Sequence, residues 1–195
     1  NVIKVLVLMT AVATVHVSCR WTDGNVGPEN GGGARVLISE PVAERTTDFA
    51  FDFFKKVVSF QSASENIFVS PISLHMALGM LVNGAEGTTA DEIKKALKME
   101  GVSLEELNET YQTLSEKLPL ADPKVKLAIA NSVWYRKELQ IESGFVQELK
   151  KTFRAQVNAE DFTSPSVVSK INDWASDHTN GKIKNVLQSV KPNDA

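Results

Sequence analysis

The chain has 195 residues, 43% hydrophobic and 23% charged, with 21 Lys and Arg against 24 Asp and Glu for a net charge of −3. This is ordinary globular composition, long enough for one core. It excludes a disordered chain outside the N-terminal region and gives no reason to expect nucleic acid or a polybasic membrane patch. The single cysteine, Cys19, excludes an internal disulfide and a thiolate-cluster metal site.

The sequence opens on Asn1, so a start upstream of it is expected, and Lys4 is the only charge before an apolar run from Val5 to Val17. Residues 1–19 read as a secretory leader, because the run is too short to span a bilayer comfortably and is followed by the small residues Ser18 and Cys19. Two readings of Cys19 stand side by side. It is either the lipidated residue of a bacterial lipoprotein, against which His16 three positions earlier counts, or an incidental cysteine behind a cleaved signal peptide. Both place the protein outside the cytoplasm, secreted or lipid-anchored at the cell surface. Residues 20–39 read as a tether, since Arg20 to Arg35 (RWTDGNVGPENGGGAR) has the polar, glycine-rich composition of a flexible linker. The folded domain is expected over residues 40–195.

From Thr47 onward Ala50, Phe53, Phe54 and Val57 fall at i, i+3, i+4 and i+7, with Phe49 and Phe60 extending the stripe, which predicts an amphipathic helix. Asn66 to Val69 reads as a short apolar strand. Ser70 follows as a helix N-cap, with Pro71 at the first helical position, where a missing N–H costs nothing. The helix after it carries Ile72, Leu74, Met76, Ala77, Leu78, Met80 and Leu81 and is expected to be buried, until Gly84 and Gly87 stop it. Capping boxes at Thr89 with Glu92 and at Ser103 with Glu106 open two more helices, the second faced by Leu104, Leu107, Tyr111, Leu114 and Leu118.

Beyond the break at Pro119 to Pro123, Val125, Leu127, Ile129, Val133 and Tyr135 alternate with Lys126, Ala128, Ala130, Ser132 and Trp134. The alternation predicts a strand with one bulky face and one mostly small face that lets a helix approach closely. Phe145, Val146, Leu149 and Phe153 form another helical stripe, and a short strand is expected near Gln156 to Phe162. Ser164 and Pro165 open a last helix, buried through Val167, Val168, Ile171, Trp174 and Ala175 and ended by Gly181.

The three histidines are His16, His75 and His178, and the first lies in the leader. His75 reads as a core or boundary histidine, and His178 as a residue of a solvated helix end or a favourable dipole contact. Neither an H-E-x-x-H, a G-x-S-x-G nor a phosphate-binding glycine loop is present, and Gly31 to Gly33 lacks a flanking strand and helix. Ser70 and Ser73 have no base near them in sequence, so a capping or buried hydroxyl role is the expectation. Asn108-Glu109-Thr110 spells a glycosylation sequon inside a predicted helix, read as a chance occurrence. No catalytic residue, metal site or cofactor is expected.

N-I-F-V-S-P-I-S from Asn66 to Ser73, followed by G-A-x-G-T-T from Gly84 to Thr89, resembles the strand and helix B signature of the serpins. Asn131-Ser132-Val133-Trp134 and I-N-D-W-A-S-D-H-T-N-G-K-I from Ile171 to Ile183 resemble two later segments of that family, in the right order. The resemblance runs from about Phe49 to the last residue and implies an α+β fold, the N-terminal half of a serpin: helices A to F with the first strands of the central sheet. It implies fold-signature or shutter roles for Asn66, Ser70, Pro71, Ser73, Gly84, Thr89, Asn131, Trp174 and Gly181. The function it implies is suicide trapping of a serine or cysteine peptidase through a reactive loop downstream of Ala195, with a non-inhibitory carrier, chaperone or storage serpin as the alternative. A complete protein is expected to be a monomer. Helix D binds heparin in some members; here Ser103 to Leu118 carries four Glu and one Lys, so no heparin site is expected. The strand from Val125 to Tyr135 borders downstream strands in the family, which predicts an unpaired, aggregation-prone edge in this chain alone.

Overall fold

The computed structural model of the chain describes residues 6–14, 33–62 and 65–190. In chain order the elements are β1 (Leu6–Thr14), α1 (Glu40–Phe60), α2 (Pro71–Val82), α3 (Gly87–Ala96), α4 (Leu104–Lys117), β2 (Lys126–Arg136), α5 (Ser143–Phe153), β3 (Gln156–Glu160) and α6 (Ser166–His178). A single 3-10 turn, Leu118–Leu120, joins α4 to β2 where Pro119 stops the helix. The fold is α+β, a three-stranded sheet in the order β1-β2-β3 with helices against it.

β2 divides the interior. Its alternation sends Val133 and half-buried Ile129 into a core built from α1, α2, α4 and α5, where Val42, Phe49, Met76, Met80, Leu107, Tyr111, Leu149 and Phe153 are buried. Ala130 and Trp134 point the other way, into a second core under α6 with Phe162, Val167, Ile171, Trp174 and Ala175. The period of 2 along a strand thus feeds two cores from one segment. The small residue Ala130 lies on the α6 side, as the close approach of that helix requires.

Several local expectations give way. Asn66 to Val69 forms no strand; among the described residues no ladder partner lies beside it, and Phe68 is left 88% exposed. α1 starts well before Thr47, with Ser39 at its N-cap and Pro41 in the first turn. Its buried stripe runs through Val42, Phe49 and half-buried Phe53, while Phe54 and Phe60 face out. α3 begins at Gly87, whose φ of 57° turns the chain into the helix two residues before Thr89, so Thr89 lies inside the first turn and caps nothing. At the last helix Ser164 sits one residue further out than a cap, its carbonyl and hydroxyl accepting from Val167 N and Ser166 N.

The edge of β2 is paired, contrary to the expectation of an open one. Leu6–Thr14 lies antiparallel to it over nine residue pairs, from Leu6 opposite Trp134 to Thr14 opposite Lys126. Val7, Thr10, Val12 and Thr14 supply the β-branched content that favours this state over a helix. On the other edge β3 pairs in parallel, from Ser132 opposite Gln156 to Arg136 opposite Glu160.

Candidate functional site

The residues singled out by sequence fall in three places. Ser70, Pro71 and Ser73 stand at the start of α2, which packs against β1 at the sheet edge. Ser70 is the N-cap residue, yet its hydroxyl bonds the Ser73 hydroxyl at 2.7 Å instead of a backbone N–H. Its carbonyl takes Ser73 N and Leu74 N. Asn66 is exposed upstream of them, and Gly84 follows α2 with its N–H on the Leu81 carbonyl.

Asn131 lies in the buried middle of β2, where its side-chain nitrogen donates to the Phe153 carbonyl at 2.7 Å and closes the C-terminus of α5 against the sheet. Trp174 and Gly181 belong to α6 and its end. The indole stacks on His178 at 4.6 Å, and Gly181, with φ of 73°, returns its N–H to the Ser176 carbonyl at 2.8 Å to end the helix. Cys19 lies outside the described residues.

Between these places run polar contacts that the sequence did not announce. His75 is buried in the first core, with Nδ1 2.9 Å from the Tyr111 hydroxyl and Nε2 3.3 Å from the Leu97 carbonyl. A neutral ring that donates from Nε2 and accepts at Nδ1 satisfies both. Burial holds the imidazole down to about 4 and pushes the Tyr111 phenol upward. Asn83 and Asn108 exchange two amide hydrogen bonds, 2.9 and 2.8 Å, which join the end of α2 to α4. Asn108 Nδ2 also reaches Glu148 on α5, and Thr152 donates to that carboxylate at 2.5 Å. In the second core Asn172 accepts from Val186 N and Leu187 N and donates to the Leu187 carbonyl, strapping residues 186–187 across α6.

At the surface, Asp161 accepts from Lys137 and from the Thr163 hydroxyl and N–H, which holds its carboxyl well below the usual range. The α4 box forms in one direction only: Glu106 N donates to Ser103 Oγ at 3.1 Å, while the Glu106 carboxylate takes the Ser39 hydroxyl at 2.9 Å and so ties α4 to the start of α1.

Chemically this is a scaffold. The Ser70 and Ser73 hydroxyls face each other; His75 is engaged with Tyr111 and Leu97, and His178 with the Trp174 carbonyl and Gln156. Among the described residues no nucleophile and base stand together. Among them, too, no group of His, Cys, Asp and Glu is arranged to hold a metal ion, and no helix is long and apolar enough to cross a membrane.

The sequence model of the family described as Serpin (serine protease inhibitor) matches residues 44–195. The chain belongs to the serpin family. A serine protease inhibitor of Rattus norvegicus is 29% identical over 97% of this chain and 47% of its own length. The leukocyte elastase inhibitor of Xenopus tropicalis is 33% identical over 77% of this chain and 40% of its own. Among solved structures, the thermophilic serpin tengpin in its latent state superposes with a TM-score of 0.72 at 34% identity, covering 81% of this chain and 42% of that one. A loop C-sheet serpin polymer gives a TM-score of 0.71 at 32% identity over 89% and 43%. The chain therefore spans less than half the length of these relatives, and the fold is a serpin fold represented in part.

Proposed function

We propose that the complete protein inhibits a serine peptidase, or a cysteine peptidase, by suicide trapping. The observation that carries this reading is the family match across 44–195, supported by relatives named as protease inhibitors. In this mechanism the peptidase attacks an exposed loop downstream of Ala195, and the cleaved loop joins the central sheet as a new strand. That insertion releases strain and distorts the acyl-enzyme. The chain supplies the frame: Ser70, Ser73 and Asn131 act as the shutter beside the sheet, and Asn66, Pro71, Gly84, Thr89, Trp174 and Gly181 hold the signature segments. None of these residues touches the target. The inhibitor is expected to give a complex with its target that survives boiling in detergent, and loop cleavage is expected to raise its melting temperature sharply. A broad peptidase panel that left only cleaved protein, no complex and no gain in stability would overturn this reading in favour of a non-inhibitory serpin.

Two narrower proposals accompany it. The apolar run Val5 to Val17 serves as a leader that takes the protein out of the cytoplasm, with Cys19 at the processing site. Mass spectrometry of the N-terminus after fractionation of the host tests this, and an intact leader on a cytosolic protein refutes it. Sulfated polysaccharide is expected to leave inhibition rates unchanged, because α4 presents Glu105, Glu106, Glu109 and Glu116 against Lys117. A salt-sensitive acceleration abolished by mutating α4 refutes that.

A further inference from the structure

Two Asn-Gly pairs stand at helix ends in the described residues, Asn83-Gly84 after α2 and Asn180-Gly181 after α6, and the fold treats them oppositely. A third pair, Asn30-Gly31, lies outside the described residues. Asparagine followed by glycine is chemically labile, because no Cβ shields the glycine nitrogen from the asparagine Cγ and the free glycine backbone can bring the two together. In a folded chain the outcome depends on how firmly the amide and the backbone are held.

Asn83 is held firmly. Its Nδ2 donates to the Gly79 carbonyl at 3.0 Å and to Asn108 Oδ1 at 2.9 Å, while its Oδ1 accepts from Asn108 Nδ2 at 2.8 Å. The Phe145 ring crowds Gly84, so that a Cβ there would stand 2.9 Å from it. Asn180 is the opposite case: it is exposed, and among the described residues its side-chain amide has no hydrogen-bond partner. A Cβ on Gly181 would meet nothing within 4 Å, which leaves space for a ring to close. Asn180 also sits at φ of 52°, a left-handed backbone that strains any residue with a Cβ. One restraint acts on the pair, the Gly181 N–H on the Ser176 carbonyl at 2.8 Å, and it lies at a helix end, where local opening is cheap.

We propose that Asn180-Gly181 is a site of spontaneous deamidation, and that Asn83-Gly84, alike in sequence, is shielded by the fold. When the end of α6 opens, Gly181 N gives its proton to water and attacks Asn180 Cγ. The new N–Cγ bond closes a succinimide as the Cγ–Nδ2 bond breaks, and the departing nitrogen takes up a proton and leaves as ammonia. Water then opens the ring at either carbonyl, to an aspartyl or an isoaspartyl link. The isoaspartyl product carries an extra methylene in the main chain and a carboxylate beside the negative end of the helix dipole. Both changes work against the Gly181–Ser176 bond and against the clasp of Ile183 N on the Thr179 hydroxyl at 2.9 Å. The segment beyond them, whose Val186, Leu187 and Val190 cover the second core, is thereby loosened. This inference stands apart from the inhibitor reading and needs no peptidase for its test.

The test is to age the full chain at neutral pH and map its peptides by mass spectrometry, with an isoaspartyl-specific methyltransferase as a second probe. Asn180 should convert roughly 100-fold faster than Asn83, since three hydrogen bonds of ordinary strength separate the two amides. The same chain aged in urea should convert both at similar rates, because glycine follows each. Amide exchange gives an independent reading: in the aged folded chain it should quicken at Gly181 to Ile183 while α4 and α5 stay protected. Asn180→Gln, whose ring closure is far slower, should show neither the isoaspartate in that peptide nor the change in exchange with age. Selective conversion in the folded chain that vanishes in urea supports the site. Equal rates in the folded chain, a gap that persists in urea, conversion of neither pair in the folded chain while both convert in urea, or the same ageing of exchange in Asn180→Gln would each overturn it.

Discussion

The two cores on either side of β2 are closed by different means. The first is sealed by side chains from four helices that meet in matched polar pairs: His75 with Tyr111, Asn83 with Asn108, Asn131 with the Phe153 carbonyl. The second is one helix laid over Trp134 and covered at its margin by residues 186–190, which Asn172 straps in place through three hydrogen bonds. Buried polar atoms without a partner are common to both sides among the described residues, at Ser115 Oγ and Asn131 Oδ1 as well as at Asn158 Nδ2 and Trp174 Nε1. The contrast teaches where the fold can give way. A deletion in the first core is felt by all the helices that meet there and should cost global stability; a deletion at the strap of the second core should free one segment.

The largest effect is expected at Tyr111, whose fully buried ring lies 4.9 Å from the Phe153 ring and whose hydroxyl stands 2.9 Å from His75 Nδ1 and 3.1 Å from the His75 carbonyl, with one proton to give. Tyr111→Ala should cost about 3–5 kcal/mol in urea unfolding, the range for deleting a large core ring, and should also unpair His75. A loss below about 1 kcal/mol would mean that the first core is not the rigid one.

Next comes pH. His75 is held neutral, with its pKa lowered from 6.5 to about 4, so between these values the unfolded chain binds a proton that the folded chain refuses. Stability from this group is complete above about pH 6.5 and drains away as pH falls to 4, by about 3 kcal/mol in all. His75→Gln should flatten unfolding free energy across that window, and an unchanged slope would place the titration elsewhere.

The smallest effect belongs to the second core. Asn172→Ala leaves two backbone N–H groups without an acceptor and should cost about 2 kcal/mol. Limited proteolysis is the sharper measure: cleavage within residues 182–190 should accelerate in this variant while α4 and α5 remain intact. Equal acceleration in both regions would erase the distinction between the cores.

Much of this was legible in advance wherever the signal is local. The alternation in β2 and the stripes of α5 and α6 follow from periods of 2 and 3.6, and the structure keeps them, as it keeps the α4 stripe from Leu107 through Tyr111 to Leu114 while Leu104 stays exposed. The illegible parts depend on distant partners. The pairing of Leu6–Thr14 with β2 is one such case, since no local period in that run points to its partner far along the chain. Asn66 to Val69 fails for the converse reason, lacking such a partner among the described residues. Phe54 and Phe60 fit the α1 stripe in projection but fall outside the packed sector. The candidate site divides similarly. Ser70, Ser73 and Asn131 were singled out through family resemblance; the partners of Tyr111, Asn83 and Asn172 were missed because they lie far along the chain. Asn172 left one usable hint, since asparagine inside a helix competes for backbone groups and asks for a reason to be there.

The reciprocal amide pair between Asn83 and Asn108 has a further consequence for timing. Asn108 Nδ2 is the atom that a sugar would have to occupy in the Asn108-Glu109-Thr110 sequon, and it is already donating to Asn83 and Glu148, while Thr110 is buried with its hydroxyl on the Glu106 carbonyl. Modification is therefore expected to be easier before α2, α4 and α5 come together, and a chain modified then would close the junction with fewer hydrogen bonds. A sugar there would replace one of the two Nδ2 hydrogens and so take one of these two bonds from the folded junction.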